Sequence, residues 1–194
     1  MVFRSQRRHL LSTLAALSLL TPSASVLQSQ NLPTQNLPVL GGSGGSGFTR
    51  DCGAGRVLSG LRYRSGAVID AIGLLCRPVL PDGSLGPEST VGTLAGGGGG
   101  TTAAASCPTG MVVSALRVRF GSYVSYVIIT CRGWRADTRT YASSGGSAVS
   151  LGSVLTPSAA TTDEACESTH QPGAGIRGRA ASFVDALGLA CDEP

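Results

Sequence analysis

"LRYRSGAVIDAIGLLC", residues 61–76, has the pattern of a β-hairpin: apolar and polar residues alternate, a turn follows at residues 65–66, and a second apolar run ends on a cysteine. The same plan returns as "LRVRFGSYVSYVIITC" at 116–131 and as "IRGRAASFVDALGLAC" at 176–191. A plan that recurs at a similar spacing is the signature of an internal repeat. The sequence therefore predicts a triplicated β-structure.

Composition agrees with one strand-rich domain. The 194 residues include 28 glycines, and only 13% of them are charged, which is typical of a turn-rich fold with a modest core. The formal net charge is +4, and removal of the three N-terminal arginines Arg4, Arg7 and Arg8 lowers it to +1. A charge so close to zero disfavours nucleic acid as a partner.

The first 25 residues predict export. A basic start, an apolar run of 11 residues from Leu10 to Leu20, and the small residues of "TPSAS" form the layout of a secretory signal peptide with cleavage after Ser25. The apolar run is shorter than the roughly 20 residues that a membrane-spanning helix needs. The mature protein is therefore expected to be secreted, periplasmic or at the cell surface, without a membrane span.

Six cysteines fall two to a repeat, with separations of 24, 24 and 25 residues. Cysteines in an oxidising compartment are usually paired, and six of them allow 15 connectivities. Internal repetition favours the connectivity that closes each hairpin, and each such loop stabilises the fold by about 3 kcal/mol. The predicted disulfides are Cys52–Cys76, Cys107–Cys131 and Cys166–Cys191.

Alternation with a period of two predicts strands with one inner and one outer face. In the first repeat, the inner face has Val57, Ser59, Leu61 and Tyr63, and the outer face has Leu58, Gly60, Arg62 and Arg64. About four strands are expected in each repeat, and together they are expected to form three sheets around one axis. Residues 26–40, rich in proline, glutamine and asparagine, are predicted to be a linker, and residues 41–194 a single domain with repeats at about 41–90, 91–142 and 143–194.

Glycine-rich stretches precede the hairpins, among them "GGSGGSGF" at 41–48 and "GGGGGTT" at 96–102. "GGSGG" followed by a hairpin with "RSGAVIDAIGLLC" resembles the β-prism I fold of jacalin-like lectins, including griffithsin-type mannose lectins. The pattern in which two cysteines bracket each hairpin also resembles vitelline membrane outer layer protein I, which shares the prism fold. The resemblance covers residues 41–192 and implies an all-β prism with pseudo-threefold symmetry. It implies a lectin for mannose-type or other cell-surface glycans, or a non-catalytic structural or accessory protein of the cell envelope or extracellular matrix.

The resemblance also implies where a sugar binds. The aspartate that closes a G-x-x-x-D turn pairs with a glycine-rich loop, so that the carboxylate accepts from sugar hydroxyls and backbone amides donate. "GAVID", Gly66–Asp70, is expected to face Gly96–Gly100, and Asp185 of "ASFVD" is expected to face Gly41–Gly45. The residues assigned to sugar contact are Gly41, Gly42, Gly66, Asp70, Gly96, Gly97, Gly98 and Asp185.

The three copies differ at this motif. The third copy has Ala181 where glycine is expected, and its methyl group is expected to hinder the turn or the approach of a ligand. The second copy ends in Ser125, which accepts more weakly than a carboxylate, so no sugar is predicted there. As an alternative role, Asp70 and Asp185 cap backbone amides beside their hairpins.

Two further groups are candidates for contact with a glycan or a partner. Trp134 lies in the insert at 132–144, which the other repeats lack, and it either stacks on a ligand or caps one end of the core. Arg62 and Arg64 begin a series of outward arginine pairs that repeats in the other copies. These pairs either grip anionic glycans or a partner surface, or they pair with nearby acids.

Catalysis is not expected. Outside the signal peptide the chain has one histidine, His170, and its cysteines are assigned to disulfides, so a nucleophile with its base is lacking. The glycine run at 96–100 lacks the Lys-Ser/Thr of a phosphate-binding loop. No C-x-x-C pair indicates a zinc site. The sequence therefore predicts neither catalytic residues, nor a metal, nor a cofactor.

Overall fold

A computed structural model describes residues 33–153 and 160–194, which form fourteen β-strands. The predicted signal peptide at 1–25 and the first part of the predicted linker lie outside the described residues. Within the described ranges, no helix has the length and apolar character needed to cross a membrane. The strands are β1 Gln35–Asn36, β2 Leu40–Gly41, β3 Ser46–Asp51, β4 Arg56–Ser65, β5 Ile69–Pro78, β6 Ser89–Gly96, β7 Thr101–Ser106, β8 Met111–Phe120, β9 Val124–Arg135, β10 Thr140–Tyr141, β11 Ser147–Gly152, β12 Ala160–Ala165, β13 Gly173–Ala180 and β14 Val184–Cys191.

Three antiparallel hairpins, one from each repeat, form the centres of three sheets. β6 and β7 flank the hairpin β4–β5, and β12 flanks β8 of the hairpin β8–β9, whose other strand pairs with β10 and β11. β3 flanks β13 of the hairpin β13–β14, whose other strand pairs with β1 and β2. The prediction of an all-β fold with three sheets is confirmed.

The sheets are offset from the sequence repeats. β3 precedes the hairpin β4–β5 in the chain, yet it pairs with β13 of the last hairpin, from Gly175↔Asp51 to Ala180↔Ser46. In the same way β7 pairs with β4, and β12 pairs with β8. The first and last strands therefore share one sheet, and this closure brings the loop between β2 and β3 to the third hairpin.

The segment before residue 41 differs from the predicted linker. Gln35–Asn36 pairs with β14, and the N–H of Leu37 donates to the carbonyl of Leu189 at 3.0 Å. Leu37 is only 6% exposed and belongs to the hydrophobic core. Because Pro38 has no N–H to donate, the pairing is confined to short edge strands. The β-structure therefore includes Gln35–Asn36 and Leu37, which lie before the predicted boundary at residue 41.

The core lies between the three sheets and is built from aliphatic side chains of all three hairpins. Burial of each large aliphatic side chain stabilises the fold by about 2 kcal/mol. The largest fully buried side chains include Leu58, Leu61, Ile72, Leu74, Leu116, Ile129, Ile176, Leu187 and Leu189.

The three predicted disulfides are confirmed. Cys52–Cys76, Cys107–Cys131 and Cys166–Cys191 are bonded, with Cα–Cα distances of 5.6 to 5.8 Å. Each pair joins the second strand of a hairpin to the segment that precedes the first strand, and all six cysteines are buried. The bridges therefore tie each hairpin to its own entry segment.

Candidate functional site

The three hairpin turns have the same backbone geometry. In each turn the N–H of the first residue donates to the carbonyl of the third, at 3.0 to 3.1 Å: Gly66 to Val68, Gly121 to Tyr123, and Ala181 to Phe183. Neither Gly66 nor Gly121 has a positive φ. The turn therefore accepts an alanine, and the methyl group of Ala181 does not block it as the sequence had suggested.

A glycine loop covers the aspartate of the first hairpin. The N–H of Gly97 donates to the backbone carbonyl of Asp70 at 2.9 Å. A Cβ on Gly99 or Gly100 would collide with the carboxylate of Asp70, so only glycine permits this approach at both positions. Gly100 also has a φ of +63°, which favours glycine. Asp70 is 6% exposed and lies directly beneath the loop.

The third hairpin repeats the arrangement with residues from the other end of the chain. The N–H of Gly42 donates to the backbone carbonyl of Asp185 at 2.8 Å, and a Cβ on Gly44 or Gly45 would collide with the Asp185 carboxylate. Asp185 is 4% exposed. The structure thus brings each aspartate together with the glycine loop assigned to it, while the sugar contact itself stays a prediction.

Both carboxylates have an enclosed oxygen without a partner. Oδ2 of Asp70 and Oδ2 of Asp185 are buried, and within the described part of the chain neither accepts a hydrogen bond. Oδ2 therefore caps no backbone amide, while a capping role for the other carboxylate oxygen, Oδ1, stays open. A buried acceptor without a donor costs about 1–3 kcal/mol or more for a charged group.

Each glycine loop also contacts the turn of a neighbouring hairpin. Gly42 packs against the carbonyl of Ser122, as Gly97 packs against that of Ser182. Beside Asp185 this contact forms a cleft of about 390 Å³, lined by Gly42, Ser43, Gly44, Gly121, Ser122, Tyr123 and Asp185. The candidate site at Asp185 is therefore assembled from the third and second hairpins.

Tyr123 is a site residue that the sequence reasoning missed. Its side chain is 41% exposed and lines the cleft beside Asp185. Its ring lies 4.9 Å from that of Phe183, centroid to centroid, with an angle of 54° between the planes. Phe183 follows Ser182, which contacts the loop over Asp70. The sequence feature that could have identified Tyr123 is the aromatic residue that "GSYVS" and "ASFVD" share at the third turn position.

The second hairpin has the same backbone arrangement without a carboxylate. The N–H of Ser153 donates to the carbonyl of Ser125 at 2.8 Å, and Gly152 packs against the same carbonyl. Ser125 is fully buried, and its hydroxyl donates to the carbonyl of Arg119. Residues 154–159, which continue this loop, lie outside the described part of the chain. The prediction that no sugar binds here stays open.

Four of the outward arginines, Arg62, Arg64, Arg117 and Arg179, are engaged within the domain. Arg64 and Arg179 donate to carbonyls of the two glycine loops. Arg62 lies over Gly73 and donates to the carbonyl of Gly92. Arg117 pairs with Asp163 through two hydrogen bonds.

The pair of Arg117 and Asp163 also accounts for a pKa shift. The hydrogen bond from Arg117 lowers the pKa of the Asp163 carboxyl below its usual value. Both side chains are more than half exposed, at 54% and 60%, so solvent screens the pair and it contributes little to stability. The structure thus shows internal partners for arginines that the sequence had offered for anionic glycans.

Trp134 lies far from the glycine loops. Trp134 is near the end of β9, whereas Ser125 is near the start of that strand. At the usual rise per residue of a β-strand, the two residues are about 30 Å apart. The indole is part-buried, packs against the core and donates from Nε1 to the carbonyl of Gly83 at 2.8 Å. This position fits the alternative in which Trp134 caps one end of the core.

No protein-family model and no curated protein sequence matches the chain. Solved structures do match. A mannose-binding jacalin-related lectin from Ananas comosus has 21% identity and a TM-score of 0.53, with 83% of this chain and 99% of that chain covered. Artocarpin in complex with mannopentose has 12% identity and a TM-score of 0.56, with coverages of 82% and 97%. Calystegia sepium agglutinin has 15% identity and a TM-score of 0.55, with the same coverages. The chain therefore has the β-prism I fold of jacalin-related lectins.

Proposed function

We propose that the protein is an exported, non-catalytic carbohydrate-binding protein that recognises neutral glycans of the mannose type at Asp70 and at Asp185. The observation that supports this most strongly is the close packing of an aspartate against a glycine loop, which only glycine permits and which occurs twice. The neighbours in structure add support, because one is described as mannose binding and another was solved with mannopentose.

The chemistry of the two sites suits a neutral polyol. A carboxylate accepts hydrogen bonds from adjacent sugar hydroxyls, and a glycine loop without side chains lets backbone amides approach the same ligand. At Asp185, the exposed ring of Tyr123 lines the cleft and offers an apolar face for a sugar ring. The two sites share the third hairpin, which provides Asp185 to one site and whose Ser182 contacts the glycine loop of the other.

The arginines favour a neutral ligand over an anionic one. Arg64, Arg179 and Arg117 each donate two or more hydrogen bonds within the domain. An anionic glycan would have to displace these contacts. A role in the cell envelope or extracellular matrix without a soluble sugar ligand is the outcome that a negative binding result would favour.

A glycan-array screen of the oxidised chain lacking residues 1–25 tests the proposal. Mannose-type glycans are expected to bind, and sulfated glycans are not. Calorimetric titration with methyl α-mannoside should then show two sites in the wild type, one in Asp70→Asn, one in Asp185→Asn and none in the double variant. Asp163→Asn is the control, because Asp163 is exposed and pairs with Arg117 on the second hairpin.

Two results would contradict the proposal. Sugar binding that survives in the double variant would show that these carboxylates are not the site. If no glycan on the array binds, a structural role in the cell envelope or extracellular matrix would be favoured instead. Melting temperatures of the Asp70 and Asp185 variants should be at or above that of the wild type, since asparagine matches aspartate in size and removes a buried charge whose Oδ2 has no donor.

A further inference from the structure

Each glycine loop is held by one arginine from the first strand of its hairpin. Arg64 donates from Nε to the carbonyl of Gly99 at 2.6 Å and from Nη2 to the carbonyl of Gly100 at 3.0 Å. Arg179 donates from Nε to the carbonyl of Gly44 and from Nη2 to that of Gly45, both at 2.7 Å. The two guanidinium groups therefore make the same pair of contacts on equivalent loops.

The glycines that the arginines hold are the same ones that touch the carboxylates. A Cβ on Gly99 would collide with Oδ1 of Asp70, and one on Gly100 with Oδ2. At the other loop, Gly44 and Gly45 approach Asp185 in the same order. The loop thus lies between a guanidinium on one side and a carboxylate on the other.

These contacts also fix the direction of a backbone donor. In a trans peptide, the carbonyl and the following N–H point in opposite directions. Because Arg64 holds the carbonyl of Gly99, the N–H of Gly100 faces away from the guanidinium. Arg179 orients the N–H of Gly45 in the same manner. A backbone amide is thereby set in position before any ligand arrives.

Without such contacts a glycine-rich loop would be costly to order. Glycine loses more backbone freedom than any other residue when it is fixed, and a loop that is ordered only on binding reduces affinity by that cost. We infer that Arg64 and Arg179 are positioning residues, which hold the glycine loops in the conformation that the sugar meets. The nature of the ligand rests on the proposed function, while the ordering of the loops does not.

Replacement of each arginine by lysine tests the role of the guanidinium group. Lysine keeps the positive charge and most of the stem, but its ammonium group cannot form the two parallel hydrogen bonds of a guanidinium. The variants are Arg64→Lys and Arg179→Lys. The matched control is Arg62→Lys, because Arg62 lies on the same strand as Arg64 and donates to the carbonyl of Gly92, outside the glycine loop.

Two measurements on the oxidised protein separate loop order from sugar binding. The first is amide hydrogen exchange without ligand, and the second is calorimetric titration with methyl α-mannoside. Arg64→Lys should raise the exchange rate of the Gly97 amide, which donates to the carbonyl of Asp70, and weaken one of the two sugar sites. Each change should be about tenfold, the effect of one lost charge-assisted hydrogen bond. Arg179→Lys should do the same at the Gly42 amide, which donates to the carbonyl of Asp185, and at the other sugar site. Arg62→Lys should do neither.

The amide of Ile72 in the core serves as the internal reference, since its exchange should not change. Unchanged exchange in both glycine loops would overturn the inference. Faster exchange in the loop with unaltered mannoside affinity would overturn it as well, since loop order would then not matter for binding. If the wild type binds no mannoside, the proposed function fails, and the exchange rates alone decide whether the arginines position the loops.

Discussion

Gly99 and Asp70 pack so closely that a Cβ on Gly99 would overlap Oδ1 of the carboxylate, whereas a Cβ on the adjacent Gly98 would meet open space. Gly99→Ala is therefore expected to push the loop away from Asp70 and to weaken sugar binding at that site by tenfold or more, the effect of about 1.4 kcal/mol. Gly98→Ala should weaken binding less, because its Cβ would meet no atom of the domain. Titration of both variants in the Asp185→Asn background, where one site remains, makes the comparison, and equal affinities would exclude close packing as a requirement.

Tyr123 should matter at one site only. Its ring lines the cleft beside Asp185, and an aromatic contact of this kind contributes about 0.5–1.5 kcal/mol. In the Asp70→Asn background, Tyr123→Ala is expected to weaken mannoside binding by about three- to tenfold. Tyr123→Phe keeps the ring and should bind nearly as well as its parent. If the alanine variant binds as tightly as the phenylalanine variant, the ring does not contact the sugar.

The hairpins and disulfides could be predicted from the sequence because they are local. Two strands joined by a three-residue turn must pair with each other, and a segment that folds back on itself brings the two cysteines that bracket it close together. The exchange of strands between repeats is different. β3 pairs with β13, more than 100 residues away in the chain, and an amphipathic pattern alone does not say which edge a strand will join.

The inner and outer faces were predicted correctly only in part. Leu58 was assigned to the outer face, yet it is fully buried, as is its neighbour Val57. The register between β4 and β5 shifts between Leu58 and Gly60, so Ser59 forms a bulge. A bulge places an extra residue in one strand and breaks the strict alternation. Ser114 occupies the equivalent position, where the register shifts between Val113 and Ala115.

Within the candidate site, the sequence identified the two aspartates and their glycine loops through the family resemblance. It did not identify the roles of Arg64 and Tyr123. Both roles depend on contacts across the sheet or between sheets: Arg64 reaches a loop 35 residues further along the chain, and Tyr123 faces Asp185 from another hairpin. Such contacts follow from the register and from the closure of the prism, which the residue pattern does not specify.

Removal of a disulfide should lower stability by a similar amount in each repeat. The bridges span 24, 24 and 25 residues, and loops of this length stabilise a fold by about 3 kcal/mol in the chain-entropy model. The test is urea unfolding of three double variants, in which both cysteines of one pair are replaced by alanine. A loss below about 1 kcal/mol for any pair would show that its unfolded chain is already compact.

Tyr141 should make stability depend on pH in the alkaline range. Its ring is 7% exposed, and its hydroxyl donates to the carbonyl of Cys166 at 3.0 Å. Burial raises the pKa of Tyr141 above the ordinary value of about 10, although the charge of Arg132 acts in the opposite direction. The folded state therefore holds the phenol proton more tightly than the unfolded state does. This contribution is complete below pH of about 10 and is lost as the pH rises through the higher pKa of the folded state.

The Tyr141→Phe variant isolates this effect. It should be less stable than the wild type at pH 7 by about 1 kcal/mol, the usual net value of one hydrogen bond. Above pH of about 10 the difference should shrink, because the wild type loses the contribution of the protonated phenol and phenylalanine has no proton to lose. Urea unfolding of both proteins between pH 7 and pH 11 measures the difference directly. Parallel pH profiles would contradict the prediction, since they would mean that Tyr141 ionises equally readily in the folded and unfolded states.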